Sequence, residues 1–292
     1  MKSSLIAIVT MTVVVGTVIV ATTRAQQQQQ SQQQQSQQQQ PPAKPGQSQL
    51  SPVAPAQPEA PKVDPEEEKA YQDFAALKGD DYDTQIQSGE NFVTKYPSSK
   101  YNEFVYSRLT NAYFNKQQLD KMYAASDKAI GLDPNDVTVL VLVGWVIPHN
   151  INPNDLEADR RLAKAEGYEK HALELLPTLQ KPPAISDEDF ASAKAKEEAT
   201  AHSGLGLIYF REQKAEDSLK ELQAATSATS ESDPVDYFIM GVDLDSLKRY
   251  SEAADAFQKC TQVPNVGAML DRCKQQADKA KAEAAAQPAP KQ

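Results

Sequence analysis

The chain has 292 residues and a formal net charge of −10, from 30 Lys and Arg against 40 Asp and Glu. That balance argues against nucleic acid, whose binding is carried by cations neutralising phosphates, and against electrostatic docking onto anionic lipid. Two cysteines, Cys260 and Cys273, exclude a Cys-rich disulfide scaffold or a four-Cys zinc site, and three histidines, His149, His171 and His202, offer little for metal or general-base chemistry.

Lys2 is followed by Leu5–Ala21, free of charge and rich in Val and Ile, and then by Thr22, Thr23, Arg24 and Ala25. A positive start, an apolar run and small residues before a break describe a secretory signal cleaved after Ala25. The run also reaches the lower edge of a membrane span, so residues 1–25 read as a signal peptide or a retained anchor. Either reading exports the remainder, as a periplasmic or secreted protein or one held at the inner membrane facing the periplasm. Membrane contact is expected only through this helix, if it is uncleaved. Residues 26–61 hold sixteen Gln and seven Pro. Gln runs bury nothing and Pro runs favour extended polyproline II, so 26–63 is expected to be a disordered spacer.

From Asp64 onward the hydrophobic periodicity is helical. Asp64, Pro65 and Glu67 make a helix start, and Ser186 with Asp189 makes another. Val137–Ile147 is β-branched and apolar, and its place in the pattern below assigns it to a buried helix. Two long helices are predicted over Asn154–Leu176 and Asp187–Phe210, joined by a Pro177–Ser186 loop. A last helix, Val266–Ala285, sets Met269, Leu270, Cys273 and Ala277 on one face and polar residues elsewhere, as a capping helix should. Residues 286–292 form a tail.

Internal similarity organises the body. Tyr106, Leu109, Tyr113, Ser126, Ala129 and Pro134 are spaced as in the tetratricopeptide repeat, which this region resembles. Tyr237, Met240, Gly241, Leu244, Ala253, Phe257 and Cys260 repeat the pattern. Leu205, Gly206, Tyr209, Leu222 and Ala225 give a further copy, and Val143, Gly144, Ile147, Ala165, Ala172 and Pro177 another. In the first copy Phe92 and Pro97 fit, while Gln85 and Gly89 replace the family's Ala and Phe. Its stretch Asp81–Pro97 looks more like the repeats of bacterial envelope-assembly proteins. Copies start near residues 66, 103, 137, 199 and 234. The resemblance implies an all-α fold over residues 64–285: an α-solenoid of about five antiparallel helix pairs closed by the capping helix. Small Gly144, Gly206 and Gly241 would let paired helices approach, and bulky Tyr113, Tyr209 and Phe257 would fill the space between hairpins. Each hairpin leaves an apolar face that only its neighbour covers.

No enzyme motif is present, and no cofactor or metal is expected. Gly204-Leu205-Gly206 lacks a third glycine and lies within a helix. Acidic runs such as Glu66–Glu68 and Asp187–Asp189 sit at helix starts, where the helix dipole favours them. His202 reads as a packed helix residue and His171 as solvated, while His149, after Pro148 in a loop mouth, is the one histidine with a functional reading. Cys260 and Cys273 face each other across a short turn and are either bridged or two small buried thiols. In the family the first helix of each repeat lines a concave groove. Carried over by position, the lining includes Phe74, Phe104, Asn111, Phe114, Trp145, Leu207, Phe210 and Phe238. The Lys, Arg and Asn set that clamps a partner's terminal carboxylate is missing, with Asn111 alone in place. What remains suits an amphipathic helix or extended apolar peptide, unless the insertions fold over it. The implied function is a non-catalytic protein-binding scaffold or adaptor of the cell envelope. A self-associating structural protein is the alternative.

Overall fold

Asp64 opens the folded body: its carboxylate accepts from the Glu66 backbone N–H at 2.9 Å, and Pro65 occupies the first helical position, where no N–H is needed. The computed structural model describes residues 64–152, 154–229, 231–264 and 266–287. Residues 1–63, on which the signal-or-anchor and spacer expectations fall, lie outside the described residues. Among those described, no helix is long and apolar enough to cross a membrane.

Among the described residues eleven α-helices follow in order: α1 Pro65–Ala75, α2 Tyr82–Lys95, α3 Asn102–Asn115, α4 Leu119–Leu132, α5 Val137–Asn150, α6 Ala158–Leu175, α7 Asp187–Arg211, α8 Ala215–Ala228, α9 Pro234–Ser246, α10 Tyr250–Cys260 and α11 Leu270–Ala286. The described residues contain no strand. Asp136, Ser186 and Asp233 cap α5, α7 and α9 by accepting backbone N–H groups at 3.1, 3.0 and 2.8 Å. The β-branched run 137–147 is helical and almost entirely buried, because neighbours on several sides outweigh its strand propensity. Two boundaries differ from the sequence reading. The α6 helix begins at Ala158 rather than Asn154, after two turns in which the Asn152 and Asp155 side chains accept backbone N–H groups. The capping helix begins at Leu270, after a 3₁₀ turn over Gly267–Met269.

Consecutive helices pair as α1/α2, α3/α4, α5/α6, α7/α8 and α9/α10, and α11 packs on α10. This is a tetratricopeptide-like solenoid. The first helices also touch along the array, α3 to α5, α5 to α7 and α7 to α9, whereas the second helices make no comparable contacts with one another. Closer spacing on one side of a stack makes that side concave, so α3, α5, α7 and α9 form the inner wall. Within pairs, a Cβ at Gly206 or Gly241 would stand 2.5 Å from Leu222 or Phe257 of the second helix, so these glycines set the approach.

The apolar interior falls into three clusters. One is built around Phe74, Phe92, Val105, Leu109, Met122, Val146 and Ile208, spanning α1 to α7. A second holds Leu207, Leu222, Leu244 and Phe257 with Ala277 and Ala280 of the capping helix. A small third joins Val137, Leu140 and Val141 of α5 to Ala172 and Leu176 near the end of α6 and Ala201 of α7. The longest helix, α7, contributes to all three.

Candidate functional site

The inner wall carries most of the half-buried aromatic rings singled out from the sequence. Phe104, Phe114, Trp145, Phe210 and Phe238 are each partly exposed. Three other positions give a partner no surface. Phe74 is 2% exposed, Leu207 5% and Asn111 8%, because adjoining helices close over them. Phe74 belongs to the first core, where Phe104 meets it edge-on at 6.3 Å. Asn111 is held within its own helix by Asn115, whose amide donates to the Asn111 backbone and side-chain oxygens at 2.9 and 3.2 Å. The exposed part of the lining therefore comes down to the five aromatics.

These five rest on two different cores. Phe104, Phe114 and Trp145 rest on the first core, and Phe210 and Phe238 rest on the second. Phe114 of α3 meets Trp145 of α5 edge-on at 6.1 Å, an arrangement that places the positive ring edge against the negative face. Trp145 in turn lies against the His149 ring at 3.9 Å. His149 is not in a loop mouth: α5 runs through Pro148 to Asn150, and the His149 ring belongs to its last turn. Its Nδ1 is 2.7 Å from the Trp145 carbonyl oxygen. Burial, with the charge of Arg211 adding to it, pushes the imidazole down to about 4, so the ring is neutral near pH 7 and serves as an aromatic surface.

At the N-terminal end, Tyr71 and Tyr101 stack at 3.8 Å. Arg108 lies 5.1 Å from the Phe74 ring centre, and its guanidinium donates to the carbonyls of Phe74, Ala75 and Leu77 at 3.1 Å. That fork satisfies the orphan carbonyls at the end of α1 and ties α1 to α3. Sequence reasoning missed it because an arginine in an amphipathic helix reads as solvated.

The remaining candidates are structural. His202 pairs with Glu221 at 2.7 Å across α7 and α8. His171 meets Asn135 at 2.8 Å. Ser203 donates to buried Asp236 at 2.7 Å, tying α7 to α9 beneath the groove. Burial, the charge of Asp233 second, holds the Asp236 carboxyl well above the usual range. No cluster of three or more metal-ligating side chains occurs among the described residues. Cys260 of α10 and Cys273 of α11 form a disulfide with Cα atoms 6.0 Å apart.

No protein-family model matches the chain, and no curated protein matches it. Among solved structures, a thermophilic TPR protein of Thermus thermophilus aligns with a TM-score of 0.45 and 14% identity, covering 74% of this chain and 99% of that one.

Proposed function

We propose that this protein is a non-catalytic scaffold whose concave face takes an apolar segment of a partner protein. The observation that carries this reading is the Phe114–Trp145–His149 aromatic step, which joins α3 to α5 and is partly exposed. Partly exposed aromatic rings held rigidly by their neighbours are the side chains that most often anchor a partner. The step has no nucleophile–base pair beside it, so its chemistry is contact rather than catalysis. The ligand it suits is an amphipathic helix or extended peptide that presents an aliphatic or aromatic side chain to the rings.

The proposed setting is the cell envelope. It is supported by the apolar leader, and by a disulfide that persists in an oxidising compartment. Crosslinking in fractionated cells, wild type beside a Phe114→Ala, Trp145→Ala double variant, tests both halves. The double variant should keep its helical circular dichroism and lose the partner by more than about tenfold, the scale of a single anchor residue. Equal capture by both proteins removes the groove reading, and recovery of the chain from the cytoplasm removes the export reading.

A further inference from the structure

The buried stripe of α6 reads Leu162, Ala165, Glu169, Ala172 and then Leu176, so a carboxylic acid stands where the helical period calls for an apolar residue. Glu169 has 0% of its surface exposed. Neither of its carboxyl oxygens has a hydrogen-bond partner. The head group fits because two other helices omit their side chains there. A Cβ on Gly144 of α5 would lie 2.5 Å from the Glu169 carboxyl carbon, and one on Gly204 of α7 would overlap Oε1.

The groups around it give no help to a negative charge. From α7 comes Glu197, itself pushed up to about 8 by burial and then by Asp136, which caps α5. On α6 the neighbouring Lys170 donates to Glu166, which also accepts from Tyr209, so that lysine is engaged elsewhere. No Lys, Arg or His among the described residues ion-pairs with Glu169. An ionised carboxylate without a cation or a donor is strongly unfavourable in such a place, whereas the neutral acid is tolerated. Burial first, and Glu197 second, accordingly hold Glu169 well above the ordinary carboxylate range.

We propose that Glu169 is a protonation latch for the α5–α6–α7 joint: as a neutral acid it lets the three helices close, and its ionisation on raising the pH opens them. The sign follows from linkage. A carboxyl group that binds its proton more tightly in the folded state stabilises fully below its unfolded value, and that stabilisation is lost as pH rises toward the folded value. The joint adjoins the groove, since Gly144 is followed in α5 by Trp145, whose indole moves if α5 shifts. The latch itself does not depend on what the groove binds, and no partner enters its test.

Trp145 is the only tryptophan in the chain, so its emission reports this joint directly. The experiment follows full-length wild type, Glu169→Gln and Glu169→Met through thermal unfolding and Trp145 emission from pH 5 to pH 9. Wild type should lose roughly 3–5 °C in Tm per pH unit, the slope of one proton, and its emission should shift over the same range. Both variants should keep a constant emission and fall less steeply in Tm. Slopes from Asp236 and Asp243, also raised by burial, are common to all three proteins and cancel in the difference, and a Glu197→Gln control, which should keep the wild-type emission shift, separates the titration of that neighbour. A wild-type emission that stays constant from pH 5 to pH 9 overturns the proposal, as do variants that shift with wild type. If Glu169→Gln does not fold, the apolar Glu169→Met decides; if neither folds, the wild-type titration alone does.

Discussion

Among the described residues, three hold a backbone conformation that L-amino acids seldom adopt. Gln117, Gln213 and Lys248 have φ of 58°, 60° and 60°, and each stands two residues past the end of a first helix. In each turn the next residue's N–H reaches back five positions: Gln118 to Tyr113, Lys214 to Tyr209 and Arg249 to Leu244, all at 2.9 Å. This is the Schellman closure, and its left-handed position normally belongs to glycine. Glycine at any one of the three should raise stability by about 0.5–1 kcal/mol, and valine at the same place should lower it by at least as much. Urea unfolding of the single variants measures this. Nothing in the sequence marks these positions, because Gln and Lys are ordinary solvent residues. Glu169 went unmarked as well, although it is an acid within the apolar stripe of α6 and faces Gly144 and Gly204. Reading each helix alone concealed it, since Gly144 and Gly204 come from different helices.

At the level of single elements, the repeat spacing placed every paired helix, including α5, whose composition suggests a strand. What it missed follows from turn chemistry and from burial by distant helices. Neither the late start of α6 nor the covering of Phe74, Asn111 and Leu207 has a signature in one element's periodicity. The capping helix illustrates how an element is held when its own packing is thin. Only Cys273, Ala277 and Ala280 of α11 are buried, and two of these are alanines with little apolar area. The Cys260–Cys273 bridge, across a separation of 13 residues, supplies the remainder. A Cys260→Ala, Cys273→Ala variant should lose about 3 kcal/mol, and the loss should be local. Hydrogen exchange should quicken over α11 and leave α3 to α5 unchanged. Uniform quickening along the chain would mean that the cap supports the whole array.

For the whole molecule, an array of hairpins that touch mainly their neighbours is expected to come apart by stages rather than in one step. The long α7 departs from that scheme. Its consecutive residues Leu207 and Ile208 enter different cores, and Ala201 enters the third. A helix facing three cores is a shared wall, and removing it leaves no covered face on either side. The consequence is mechanical. Pulled apart by its two ends, the domain should peel from its outer hairpins inward, releasing length in small increments, and then hold. The last and strongest event in a force–extension trace should be the rupture of the segment from α5 to α7. A protein built this way can bear a load at either end while its middle, where the aromatic step lies, keeps its shape.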